Sequence, residues 1–189
     1  MKILCVTYRD WAIELYDIIE SKLDSHIFKR INSRKEYHKF DVDEFSPDII
    51  LFYGWSWIIK DEILTKYDCF MLHPSKLPEF RGGSPIQNQI IRGVKNSAVT
   101  IFKMDSGVDT GDIVYQENLN LSVSLNEIFQ SMTKIGSKGT IHLIENYQNI
   151  KYIKQDNSKS SYYKRRKKHE SEITLKELQE KPSNYIIDK

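Results

Sequence analysis

The chain has 189 residues, of which 40% are hydrophobic and 29% are charged, and its formal net charge is +2. This length is typical of one domain with a short appendage, and the composition is that of an ordinary soluble chain rather than a disordered or membrane one. The first residues, MKILCVTY, are followed directly by Arg9 and Asp10, so we expect neither a signal peptide nor a membrane span.

Cysteine usage indicates a reducing compartment. The two cysteines, Cys5 and Cys69, both lie in apolar runs that are typical of strands. We therefore expect buried, reduced thiols and a cytoplasmic location. No zinc-type spacing of Cys and His is found, and no metal is expected.

Apolar runs and helical periodicity alternate along the chain. The predicted strands are residues 2–8, 48–54, 69–73, 98–104 and 112–119. The predicted helices are residues 10–24, 58–67, 85–92 and 124–148, and Gly136 and Gly139 weaken the last of them. This alternation predicts an α/β fold with a mainly parallel central sheet that carries helices on its faces.

The last part of the sequence predicts an appendage. We assign residues 1–150 to a catalytic domain and 151–189 to a C-terminal extension packed on it. Residues 154–161 read as a polar linker, and 162–173 as an extended segment laid against the domain. The basic run 164–169 is more often a solvated surface than a seat for phosphate or nucleic acid.

Two chemically active residues follow predicted strands. His73 opens the segment 73–85, which holds three of the five prolines, and Asp109 lies in the turn DSGVDTGDI. The carboxyl ends of strands are where α/β sheets bind ligands. A carboxylate beside an imidazole holds one tautomer and supports a general base. Taken singly, each residue also reads as an ordinary loop or turn residue.

The stretch HPSKLPEFRGGSPIQNQIIRG, followed by AVTIFKMDSGVDTGDIVYQENL, resembles the folate-dependent formyltransferase family. The resemblance implies a Rossmann-like three-layer fold with 10-formyltetrahydrofolate as the formyl donor. It also implies that an amine attacks the formyl carbon, with His73 as general base and Asp109 supporting it.

The same resemblance supplies the remaining site residues. Those expected to bind the folate are Tyr53, Gly54, Trp55, Leu77, Pro78, Met104, Asp105 and Val108. Those expected to bind the substrate are Arg9, Ser75, Arg81, Gly82, Gly83, Ser84 and Gln87. Segment 53–58 resembles a lid over the pterin.

One position departs from the family pattern. Where the family places Asn, two residues before His73, this chain has Met71. Losing such a donor can cost about 100- to 1,000-fold in rate. Three explanations are open for Met71. Protonated His73 or a backbone N–H replaces the amide as donor, a branch of the family does without this donor, or the chain is a slow or inactive enzyme.

The segments 81–88 and 162–173 resemble the nucleotide-sugar branch of the family. We therefore expect N-formylation of a UDP- or dTDP-linked 4-amino-4,6-dideoxy sugar, with no nucleic-acid partner and no membrane insertion. The length argues against methionyl-tRNA, and a homodimer stays open. The alternatives are a carrier-bound amino acid, glycinamide ribonucleotide, or a catalytically silent folate- or nucleotide-binding module.

Overall fold

The structure, a computed structural model, describes residues 1–172 and 174–180. Its strands are β1 (Lys2–Val6), β2 (Ile27–Ile31), β3 (Ile49–Phe52), β4 (Asp68–His73), β5 (Arg81–Gly82), β6 (Asn96–Lys103), β7 (Ile113–Asn120) and β8 (Tyr162–Tyr163). Its α-helices are α1 (Asp10–Lys22), α2 (Arg34–Lys39), α3 (Val42–Phe45), α4 (Asp61–Lys66), α5 (Pro85–Ile90), α6 (Leu125–Glu145) and α7 (Leu175–Glu180). Short 3-10 turns lie at Tyr147–Asn149, Asn157–Lys159 and Lys168–Ser171.

Six strands form the central sheet in the order β2-β1-β3-β4-β6-β7. The first four are mutually parallel, whereas β6 runs antiparallel to β4 and β7 antiparallel to β6. The predicted mainly parallel α/β fold is confirmed. β6 and β7 are antiparallel because the connection between them, residues 104–112, is a turn. It is too short for the crossover helix that parallel neighbours need.

Each face of the sheet buries its own apolar cluster. One cluster joins the sheet to α1 and α6, with residues such as Leu15, Ile128 and Met132. The other places Leu4, Ile50 and Phe52 against the short helices that precede and follow β3. β3, with all four residues buried, lies between the two clusters. This is a three-layer arrangement, as the resemblance implied.

The sequence did not predict every element. β2 was missed because it is an edge strand with alternating exposure rather than a buried apolar run. The following helices α2 and α3 are only one or two turns long, so they show little periodicity.

Both cysteines are free and buried, as predicted. Burial raises the pKa of the Cys69 thiol to about 12. Across the residues that the structure describes, no helix combines the length and apolarity needed to cross a bilayer.

After α6 the chain returns to the domain. Ile153 forms a bridge with Ile113 beside the sheet, and β8 pairs in parallel with β5 in a small second sheet. The division of the chain at residue 150 stays a prediction. Residues 173 and 181–189 of the predicted extension lie outside the described part of the chain.

The glycines of α6 allow the helix to approach the sheet closely. A Cβ built at Gly136 would lie 2.5 Å from Leu72 Cδ1 and 2.6 Å from Leu15 Cδ1. At Gly139 it would lie 2.4 Å from the Tyr115 ring. The two residues that weaken the helical pattern in the sequence are thus the ones that fit α6 against its neighbours.

Gly136→Ala tests this packing. Alanine favours a helix by about 1 kcal/mol over glycine. Overpacking a close-packed core costs about 1–3 kcal/mol. We expect a net loss of up to about 2 kcal/mol in the free energy of unfolding, measured by chemical denaturation. The exposed Lys134→Ala on the same helix is the control, and an equally or more stable Gly136→Ala would contradict the close approach.

Candidate active site

His73 and Asp109 meet at the carboxyl end of β4. Both side chains are buried, and His73 Nδ1 lies 3.5 Å from Asp109 Oδ2. The other ring nitrogen of His73, Nε2, lies 2.8 Å from the backbone carbonyl oxygen of Phe80. Because a carbonyl oxygen only accepts, Nε2 must carry a proton for this hydrogen bond to form. In a neutral ring, Nδ1 then holds the lone pair.

This tautomer suits proton transfer. The Nδ1 lone pair faces the Asp109 carboxylate, so a proton gained at Nδ1 would lie between the ring and a negative charge. The 3.5 Å contact would then become an ion pair. The pair can therefore accept a proton from a reacting group and balance the charge that results.

Asp109 is held in an uncommon backbone conformation. Its φ is +55°, in the left-handed region, where non-glycine residues are infrequent. Its Oδ2 accepts a 2.7 Å hydrogen bond from the backbone N–H of Gly82. The segment 80–82 thus contacts both members of the pair, His73 through a carbonyl and Asp109 through an amide.

A cavity of about 1120 Å³ lies beside the pair. Twelve residues predicted for the site line it: His73, Asp109, Arg9, Gly54, Trp55, Gly82, Gly83, Ser84, Gln87, Met104, Asp105 and Val108. Residues that are far apart in the sequence therefore line one cavity, which is large enough for more than one ligand group.

Five predicted residues lie outside this lining: Tyr53, Ser75, Leu77, Pro78 and Arg81. The Tyr53 hydroxyl contacts Thr140 in the core at 3.0 Å. Ser75 is buried and donates to the backbone of its own loop. Ligand contacts by these five residues stay predictions that the geometry does not favour.

Arg81 is the clearest departure from expectation. Its buried guanidinium donates to Gln155 Oε1 at 2.7 Å and to Asn157 Oδ1 at 2.9 Å. The amides of the two glycines after it are also engaged, Gly82 with Asp109 and Gly83 with Tyr163 O at 2.8 Å. The guanidinium of Arg81 and the amides of Gly82 and Gly83, expected to bind the substrate, thus form hydrogen bonds within the protein.

The basic run near the C-terminus contributes to the cavity. Arg165 and Arg166 line it, although the sequence favoured a solvated surface for this run. Arg165 Nη2 donates to Ser56 Oγ at 2.9 Å, and the Tyr8 hydroxyl contacts the same oxygen at 2.5 Å. Burial raises the pKa of the Tyr8 phenol, but the hydrogen bond with Ser56 and the nearby Arg9 outweigh it, so the pKa lies below its usual value.

Aromatic and apolar residues complete the lining. All three tryptophans of the chain, Trp11, Trp55 and Trp57, line the cavity. Trp55 Nε1 is buried and has no hydrogen-bond partner in the described part of the chain. The lid segment predicted from the sequence, residues 53–58, contains Trp55 and Trp57, but no local signal pointed to Phe129 on α6. The place of Phe129 in the lining depends on contacts between distant segments.

Met71 lies in β4, two residues before His73, and lines the cavity. Its thioether provides no N–H donor at the position where the family has an amide. The departure seen in the sequence is therefore a feature of the cavity wall.

A profile of the formyl transferase family matches residues 14–145, and the chain belongs to this family. Methionyl-tRNA formyltransferase of Rickettsia prowazekii (strain Madrid E) is 37% identical over 151 residues, which make up 78% of this chain and 48% of that protein. The enzyme of the same name from Campylobacter hominis is 37% identical over 152 residues, 80% of this chain and 50% of that protein. The chain thus spans about half the length of these curated relatives.

Solved structures agree on the fold. Methionyl-tRNA formyltransferase from Clostridium thermocellum superposes with a TM-score of 0.83 at 33% identity, covering 98% of this chain and 82% of that one. PseJ from Anoxybacillus kamchatkensis, solved with UDP-4,6-dideoxy-4-formamido-L-AltNAc and tetrahydrofolate, gives 0.71 at 24% identity, covering 100% and 97%. The family is consistent with the expected formyl-folate co-substrate.

The predicted acceptor is wrong. Relatives at 37% identity are named for methionyl-tRNA, whereas sugar formyltransferases among the solved structures reach 18–24%. The same names overturn the expectation of a nucleotide-sugar partner and no nucleic acid. The resemblance of segment 81–88 to the sugar branch does not decide the acceptor, because Arg81 at its start bonds to Gln155 and Asn157 within the protein. The short length did not decide the acceptor, because the region shared with these relatives is only about half of their length.

Asp109→Asn separates charge from conformation. Asparagine tolerates the left-handed backbone and can accept from Gly82 N–H, so we expect stability to change by less than about 1 kcal/mol. Loss of the carboxylate should lower formyl-transfer turnover by about 100- to 10,000-fold. Steady-state kinetics and thermal unfolding measure the two quantities, and nearly full turnover would exclude Asp109 from the proton transfer.

Proposed function

We propose that this chain transfers the formyl group of 10-formyltetrahydrofolate to the α-amino group of an amino acid carried on tRNA, with methionyl-tRNA as the acceptor. The observation that carries the proposal is the His73–Asp109 pair, joined at 3.5 Å on the wall of a large cavity in a chain of the formyl transferase family. A cytoplasmic location is part of the proposal.

The pair's task follows from the chemistry of acyl transfer to an amine. The amine nitrogen bonds to the formyl carbon, the bond from that carbon to the folate nitrogen breaks, and a proton leaves the amine. In the proposal, His73 Nδ1 accepts this proton while Asp109 balances the charge. The proton then passes to the departing nitrogen. Burial of both side chains keeps water from competing for it.

The folate fits the apolar part of the cavity. Trp55, Met71, Phe102 and Met104 offer flat or flexible apolar surface to a fused ring. The unpartnered N–H of Trp55 can donate to a ring heteroatom or carbonyl. The bound folate supplies the formyl group, and the protein supplies orientation and the proton acceptor.

An anionic acceptor fits the cationic part of the cavity. Arg9, Arg165 and Arg166 line it, and among the described residues none of the three has a carboxylate within 4.0 Å. Phosphate groups are the usual ligands of such guanidinium clusters. The names of the relatives at 37% identity point to the same class of acceptor.

The test is direct. The chain is incubated with 10-formyltetrahydrofolate and methionyl-tRNA. The methionine is then hydrolysed from the tRNA, and its mass is measured by mass spectrometry. We expect a product heavier by one formyl group and an equal amount of tetrahydrofolate, with the strongly impaired Asp109→Asn variant as the control. No formylation of methionyl-tRNA or of any other aminoacyl-tRNA would refute the proposal.

A second candidate, a silent folate-binding module, is favoured by Met71 alone. It predicts binding without turnover. Because all three tryptophans line the cavity, a tetrahydrofolate titration should change the intrinsic fluorescence. A saturable change in fluorescence in a chain without formyl transfer would support the module, and measurable transfer excludes it.

A further inference from the structure

The left-handed backbone at Asp109 needs support from elsewhere in the fold. Such a conformation persists in a non-glycine residue only when its surroundings fix it. Gly111, two residues on, is also tightly packed, since a Cβ there would lie 1.7 Å from Lys103 O. The turn that carries the carboxylate is therefore closely constrained.

One side chain from the C-terminal extension holds this turn. Gln155 Nε2 donates to the backbone oxygen of Asp109 at 3.0 Å and to that of Gly111 at 2.7 Å. Gln155 Oε1 accepts from Arg81 Nε at 3.1 Å and from Nη2 at 2.7 Å. A single carboxamide thus joins the Asp109 turn to the buried guanidinium.

These contacts close a ring through the active site. Arg81 is followed in the chain by Gly82, whose N–H donates to the Asp109 carboxylate at 2.7 Å. Gln155 therefore acts on Asp109 in two ways. It bonds directly to the backbone oxygen of Asp109, and it acts on the carboxylate of Asp109 through Arg81 and Gly82. Phe80, on the other side of Arg81, contacts His73.

We propose that Gln155 is a positioning residue for formyl transfer, which sets the Asp109 carboxylate against His73. The inference rests on the proposed function. Gln155 does not line the cavity, so its effect must pass through Asp109. A glutamine is required because the site needs two N–H donors and one acceptor on the same group. Glutamate would accept from Arg81 but present a charge to two carbonyl oxygens.

The first test compares Gln155→Met with Asn157→Ala. Methionine keeps the length of the side chain but loses every hydrogen bond. Asn157 contacts the same guanidinium without touching Asp109, so its removal is the matched control. We expect kcat for formylation of methionyl-tRNA to fall about 10- to 100-fold in Gln155→Met, since small misplacements of catalytic groups have effects of this size. The KM for the folate should stay within about twofold, and kcat of the control within about threefold.

The second test is a double-mutant cycle. If Gln155 acts through the Asp109 carboxylate, Gln155→Met should change the residual rate of Asp109→Asn by less than about threefold, measured in single turnovers. A merely structural role would lower the rate by a similar factor in both backgrounds. Gln155→Asn, one methylene too short to span the turn and Arg81, serves if Gln155→Met does not fold.

The outcomes are separable. A wild-type chain without formyl transfer refutes the proposed function. An active wild type with an unchanged kcat in the folded Gln155 variant overturns the positioning role, and so does full additivity in the cycle. A loss of kcat that disappears in the Asp109→Asn background supports it.

Discussion

Two backbone groups, the carbonyl of Phe80 and the N–H of Gly82, connect the two candidate catalytic side chains of this protein, His73 and Asp109. The carbonyl fixes the tautomer of His73, and the amide anchors the carboxylate of Asp109. The segment between them is itself paired with β8, so its geometry depends on chain that follows the last long helix. The candidate active site is therefore built from three distant parts of the sequence, and backbone hydrogen bonds as well as the strand end hold its geometry.

The sequence predicted what depends on local pattern. The apolar runs of β1, β3 and β4 and the periodicity of α1 and α6 identified the layers, and strand ends located His73 and Asp109. The missed features depend on long-range contacts. Nothing local indicates that Gln155, in a stretch that reads as a polar linker, bonds to a turn some forty residues earlier. Nor does a basic run reveal that two of its arginines line a cavity.

The error about the acceptor has the same origin. The resemblance of segment 81–88 to the sugar branch predicts that Arg81, Gly82, Gly83, Ser84 and Gln87 bind a nucleotide sugar. In the structure, protein groups engage Arg81 and the two glycine amides, so these polar groups hold the site together. Gly82, Gly83, Ser84 and Gln87 nevertheless line the cavity. Acceptor choice must depend on the groups that face the cavity, among them Arg9, Arg165 and Arg166.

The claim that Phe80 holds His73 is tested most directly by finding which ring nitrogens of His73 carry a proton. The ¹⁵N chemical shifts of the ring report this in selectively labelled protein near neutral pH. The geometry requires Nε2 to carry a proton, because the oxygen facing it belongs to a backbone carbonyl. A protonated Nε2 agrees with the arrangement described. A ring that carries its only proton on Nδ1, with Nε2 bare, would mean that Phe80 does not hold His73 and that segment 80–82 does not connect the two side chains.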